Sequence, residues 1–416
     1  MFVVYGQLLR AVAYIQQLVT VQQMPHNILH VTPYMHASAG GPPVVVENFV
    51  AEASRLGHSS EIVSTFAFCN GDESILRNHV EPLAPATFLT GLETIPIVSR
   101  SGAEKISAHV RRADIVHVHT LWSPLNLAAR LACRKHDKPY VLMPHGMLDP
   151  YSLSLKALKK SLYLKFFEGP NMAGAQRMIY TTSEEERLAT LAALRLPRGA
   201  IVPLGARASS NSISDLQRQF LEQYPQAEGT RRLLFLGRLH HKKGLDRILN
   251  CLQRVRQTIP NALLIIAGTG DPKYQEHIRQ LVSALSLDDH VMFTGHLDGE
   301  RKWASFAAAE LFLLPSRQEN FAITVAEAMQ MGVPVVITDK VNTWPYVEEA
   351  GAGLVLAERD IDALLPQAIE TLLTDDATRS KMAAQGRSYA RDRLTWHASA
   401  QKLLACYDQV VSGRSA

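Results

Sequence analysis

From Asn27 onward, short apolar runs alternate with stretches whose apolar positions recur every three or four residues. "NILHV" (27–31) reads as a strand, followed by a Gly-Gly turn at 40–41 and a helix to about Arg55 that Gly57 closes; "SEIVST" then starts the next strand. Further strands read as "DIVHVH" (114–119), "PYVLMPH" (139–145) and "RMIYTT" (177–182). After a polar stretch at 208–230 the series restarts with "RRLLFLG" (231–237), "ALLIIAG" (262–268), "VMFTG" (291–295), "ELFLLPS" (310–316) and "VPVVITD" (333–339). A helical pattern fills roughly 378–412. Strands spaced by helices imply parallel sheets covered on both faces. Two such series predict an α/β chain of two doubly wound domains facing each other across a cleft, with ligands expected at strand C-termini.

Composition changes this picture little. A chain of 416 residues exceeds one ordinary core, and 47% hydrophobic with 20% charged residues is normal for a globular protein. A net charge of +4 calls for no nucleic-acid partner. Cys69, Cys133, Cys251 and Cys406 lack paired spacing, which fits reduced thiols and a cytoplasmic protein. No apolar run reaches the length of a bilayer span. Residues 1–23 are broken by Gln7, Arg10, Gln16 and Gln17 and are expected to be an extension outside the fold, the alternative being an amphipathic helix that rests on a membrane.

The second half carries the chemistry. "LGRLHHKKGLDRIL" (236–249) runs from strand through turn to helix, and Arg238 and Lys243 flank a loop suited to phosphate. In "ENFAITVAEAM" (319–329) two carboxylates stand eight positions apart. Glu319 is expected in the strand-to-helix loop and Glu327 about a turn into the helix, so both can face one cleft. Between them, the N–H groups of Phe321, Ala322 and Ile323 are free to meet an anion. Acid, amides, acid suits a molecule with hydroxyls at both ends and phosphates in the middle, as in a nucleotide sugar.

Taken in order, "GRL", "KKG", "AGTGD", "VMFTG", "ELFLLPS", "ENFAITVAEAM" and "GVPVV" resemble the donor domain of glycosyltransferase family 4. "GGPPVVVENFVAEASRLGH", "DIVHVHTLWSPLNLAARLA" and "PHGMLDP" resemble its first half. The resemblance implies the GT-B fold: two Rossmann-like domains, the acceptor domain at 24–207 and the donor domain at 208–390, with a helix at 391–416 crossing back. It implies retaining transfer of a hexosyl group from a nucleotide-diphospho-sugar to a glycan or lipid-linked acceptor, in cell-surface polysaccharide or lipopolysaccharide synthesis. Carried over by residue, Arg238 and Lys243 would hold the pyrophosphate and Glu327 the ribose. Glu319 with Asn320, Phe321, Ala322 and Ile323 would hold the sugar and β-phosphate, Gly40 and Gly41 would face the donor, and His145 would contact the transferring sugar. With two cations to neutralise the leaving diphosphate, no metal or other cofactor is expected.

The chain departs from the family where Asn320, Phe321 and Ala322 replace a common Gly-Phe-Gly, and where Glu310 replaces a common aspartate, a change expected to be structural. His117 and His119 share one strand face, but no third ligand lies nearby in sequence, so no metal site is assigned. In "YSLSLKALKKSLYLKFFEGP", Leu155, Leu158, Leu162 and Phe166 fall on one helical face and Lys156, Lys159 and Lys160 on another. Such a helix at 151–168 fits either the sheet surface or an anionic membrane at the inner face of the plasma membrane. A sugar-nucleotide epimerase on the same fold, or a binding protein without catalysis, are the alternative readings.

Overall fold

The computed structural model describes residues 25–413 apart from 37–38, 70–72, 91–98 and 193; the expected extension at 1–23 lies outside the described residues. Thirteen strands are described. β1 (Asn27–Val31), β2 (Ser59–Ser64), β3 (Ala86–Phe88), β4 (Ile115–His119), β5 (Tyr140–Met143), β6 (Arg177–Tyr180) and β7 (Gly199–Ile201) form a sheet in the order β3-β2-β1-β4-β5-β6-β7. β8 (Arg231–Leu236), β9 (Ala262–Ala267), β10 (Val291–Gly295), β11 (Leu311–Leu314), β12 (Val335–Thr338) and β13 (Gly353–Leu356) form a second, in the order β10-β9-β8-β11-β12-β13. The described pairings are parallel, as crossover helices require.

Burial explains why these segments are strands. β4, β5, β6, β9, β11 and β12 are buried along their whole length, as expected of parallel strands covered on both faces. The helices carry amphipathic patterns; Leu245–Thr258 buries Leu245, Ile248, Leu249, Leu252 and Val255.

The chain divides into two compact units, one running through Val141 and resuming at Leu404, the other Leu142–Leu403. In the first unit the end of the last helix, Trp396–Val411, bonds to the sheet, with Tyr407 Oη 2.6 Å from His117 Nδ1. His26 Nε2 lies 2.7 Å from Asp408 on the same helix.

Two segments differ from the sequence expectation. The pattern over 378–412 is not one helix: Asp376–Arg393 ends at Leu394, and a new helix starts at Trp396. Nor is 151–168 a single helix, because Lys156 turns left-handed at φ 56° between Pro150–Ser154 and Ala157–Tyr163, and Leu164–Glu168 widens into a π-helix.

Candidate active site

The acid and base residues of the second sheet are placed by two loops that grip one another. The loop after β8 turns through a short helix, His241–Lys243, and enters Leu245–Thr258 at Gly244. Gly244 sits at φ 72°, and a Cβ there would stand 2.2 Å from the Pro315 carbonyl oxygen, so only glycine fits. The loop after β11 passes directly against it. Arg317 N–H donates to Lys242 O at 2.7 Å, and its guanidinium grips Asp246 with two bonds of 2.9 and 2.7 Å. That bidentate pair holds the Asp246 carboxyl below its usual range despite burial.

This clamp brings two of the predicted residues together. Lys243 Nζ forms an ion pair with Glu319, both side chains one-fifth exposed. Glu319 is fixed from behind by the loop after β12: its N–H donates to Lys340 O at 2.9 Å, and its carbonyl accepts from Asn342 N at 3.0 Å. Arg238 is exposed nearby in sequence, beyond the end of β8. Lys242, which the sequence reading passed over, donates to Gln318 at 3.3 Å and has its pKa lowered by burial.

The helix Ile323–Met331 starts where expected, and Glu327 lies on its second turn, buried. Ala322 precedes it at φ 53°, the left-handed region, where an alanine is disfavoured by roughly 1–2 kcal/mol. That backbone geometry accounts for the glycine found at this place in the family motif. Lys302, from the helix Gly299–Ala308, reaches Glu327 Oε1 at 2.8 Å and stacks over Trp303 at 4.0 Å. Burial raises the Glu327 pKa and the Lys302 charge opposes that rise. Lys302 was invisible to motif reading because it lies on a different helix.

His145 follows β5 at φ 52°, and its surroundings push its pKa down to about 3, which keeps the ring neutral. The next residue is tethered by a carboxylate that sequence reading missed. Glu185, fully enclosed, accepts from Gly146 N at 2.6 Å and from Thr181 N and Thr181 Oγ1, each at 2.7 Å. Burial raises its pKa, and these three donors oppose the rise. Within the same compact unit, Asn320 Nδ2 lies 3.4 Å from Thr181 Oγ1. Gly40 sits in the other unit at φ 94°, capping the helix Gly41–Arg55, with open space around both glycines.

Other expectations resolve simply. Glu310 is structural: Oε2 meets Arg231 Nε at 2.9 Å and Arg379 at 3.5 Å. A concavity of about 620 Å³, lined by Phe306, Met331 and Arg387 among others, contains none of these acids and bases. His117 and His119 do gain a third partner, His30, from the adjacent strand.

Two parallel sheets, each covered by helices and following one another along the chain, are the arrangement of the GT-B fold class. Solved structures share the fold: a glycosyltransferase from Rickettsia africae superposes with a TM-score of 0.76 at 16% identity, covering 94% of this chain and 100% of that one. Anabaena HepE in complex with UDP and glucose gives 0.74 at 19% identity, covering 92% and 99%. Two family models match in succession, the glycosyl transferase 4-like domain over residues 40–205 and the glycosyl transferases group 1 over 217–389. The chain belongs to glycosyltransferase family 4.

Among curated relatives, the GDP-mannose-dependent α-(1-6)-phosphatidylinositol monomannoside mannosyltransferase of Mycolicibacterium smegmatis is 31% identical over 186 residues. That match covers 43% of this chain and 47% of the relative, so it spans about half the relative's length. The phosphatidyl-myo-inositol mannosyltransferase of Mycobacterium leprae is 27% identical over 309 residues, covering 73% and 75%. The GDP-mannose:cellobiosyl-diphosphopolyprenol α-mannosyltransferase of Xanthomonas campestris is 24% identical, covering 81% and 85%.

Proposed function

We propose that this chain transfers a hexosyl group from a nucleoside-diphospho-sugar to a hydroxyl of a lipid-linked or glycan acceptor, without a metal and with retention of anomeric configuration. The observation that carries the reading is the Lys243–Glu319 pair at the mouth of the helix that bears Glu327. The incoming pyrophosphate would draw Lys243 away from Glu319 and take Arg238 as a second cation. Glu319 is then released to accept from sugar hydroxyls, while Glu327, steadied by Lys302, accepts from the ribose.

In the reaction the bond from the anomeric carbon to the phosphate oxygen breaks as the acceptor oxygen bonds to the same face. The acceptor proton passes to the departing phosphate oxygen. Negative charge builds on the diphosphate, and Lys243 with Arg238 would supply the positive charge that a divalent ion supplies elsewhere. His145, neutral in its surroundings, is suited to accept or donate a hydrogen bond to the transferring sugar rather than to carry charge.

GDP-mannose is the first donor to test, since the M. smegmatis and X. campestris relatives are named for it. Their named acceptors support a lipid-linked acceptor, and a role in cell-surface glycan assembly follows from it. Among the described residues, no helix is long and apolar enough to cross a membrane. Leu158, Phe166, Leu162 and Leu155 are nonetheless 78, 61, 54 and 48% exposed, beside exposed Lys156, Lys159 and Lys165. That surface supports contact with an anionic bilayer on the cytoplasmic side. The test is transfer from GDP-mannose to polyprenyl-linked and phosphatidylinositol acceptors in EDTA, with the product anomer read by NMR. An α-linked product from this α-donor supports the reading; a β-linked product, or a requirement for added metal, refutes it.

A further inference from the structure

The face of β1 and β4 turned toward the helices Gly41–Arg55 and Trp396–Val411 carries three imidazoles where apolar side chains would be expected. His30 and His117 are register partners on the two strands, and His119 lies two residues further along the same face of β4. All three are buried, at 1% exposure or less. Each offers one ring nitrogen, and these nitrogens lie within 4.8 Å of one another. Among the described residues this is the one such group of histidine, cysteine or acidic side chains. His30 Nδ1 and His119 Nε2 are 3.1 Å apart. Two imidazoles on one tetrahedral ion, with bonds of about 2.0 Å, hold their nitrogens about 3.3 Å apart, so this pair needs little movement.

We propose that His30, His117 and His119 bind a late first-row divalent cation, Zn2+ foremost, within the first compact unit. Neutral imidazole is the ligating form. Tyr407 Oη, 2.6 Å from His117 Nδ1, fixes that ring as outer partners of metal-bound histidines do. Three neutral ligands leave a fourth position, where hydroxide would offset part of the ion's charge. The ion would pin β1 to β4 and does not enter the transfer reaction proposed above, so the two proposals stand or fall separately.

The test uses the full chain, stripped with EDTA, dialysed and titrated with ZnCl2 or CoCl2. The expected result is one metal retained per chain after gel filtration, a visible Co2+ absorption of low-symmetry type, and a higher thermal midpoint with Zn2+. His30→Gln and His119→Gln should each weaken binding at least tenfold, while a His277→Gln, His296→Gln double variant, altered only at exposed rings, should bind as the wild type does. Less than stoichiometric uptake by the wild type, or unchanged binding in His30→Gln, overturns the proposal. Should the buried variants fail to fold, X-ray absorption at the zinc edge of the loaded wild type decides: a shell of three imidazoles supports the site, and an oxygen or sulfur shell refutes it.

Discussion

Lys302 Nζ holds Glu327 Oε1 at 2.8 Å, although the lysine is 24% exposed and the glutamate only 9%. The lysine therefore decides whether a carboxylate that burial would protonate stays ionised to accept from a diol. In Lys302→Met the Glu327 pKa should climb further. A carboxyl with a raised folded pKa binds protons more readily in the folded state, so its contribution to stability is greatest below the unfolded pKa and declines as pH rises through the folded one. The variant should thus lose stability relative to wild type as pH rises from about 5 to 8, by roughly 1–2 kcal/mol. Denaturant midpoints across that pH range check it; a pH-independent difference would contradict it.

Ala322 at φ 53° is a strained position that the helix start imposes. Ala322→Gly should relieve that strain, less the extra freedom glycine has when unfolded, for a net gain of about 0.5–1 kcal/mol. Urea unfolding should show a higher midpoint at unchanged slope; a lower midpoint would mean that the methyl group contributes packing that outweighs the backbone.

Much of this was legible in the sequence, and the parts that were not share a physical cause. β1 matches its apolar run residue for residue because aliphatic and β-branched side chains fill a buried pleat, and the edge strand β10 matches its run although only Met292 is buried. β3, β7 and β13 were missed: they are edge strands of three or four residues whose side chains stay partly exposed, too short for a periodic pattern to stand out. That Lys243 and Glu319 could meet was readable because their loops follow β8 and β11, which are neighbours in the sheet. Lys302, Glu185 and His30 were not, since each reaches its partner from another element and sequence spacing carries no sign of it.

Glu185 should prove a positioning residue for the loop that carries His145. Glu185→Ala leaves Gly146 N, Thr181 N and Thr181 Oγ1 buried without their acceptor, at a cost of roughly 2–4 kcal/mol. Glu185→Gln keeps an oxygen for part of that set and should cost less. Thermal unfolding of both variants checks the order, and equal losses would contradict it.

Lys243→Ala should weaken binding of free nucleoside diphosphate by about 10–100-fold, the worth of one charge-assisted contact. It also frees Glu319 from its ion pair, so that the carboxylate repels the diphosphate in the binding that remains. Calorimetric titration with GDP and UDP checks this; unchanged affinity would place the pyrophosphate elsewhere.

The most direct measurement is nucleotide release from GDP-mannose, UDP-glucose and ADP-glucose by the purified chain in EDTA, beside Glu327→Ala. The account predicts slow hydrolysis of one donor, unaffected by the chelator and lost in the variant. Release that needs added metal, or that survives intact in Glu327→Ala, would contradict it.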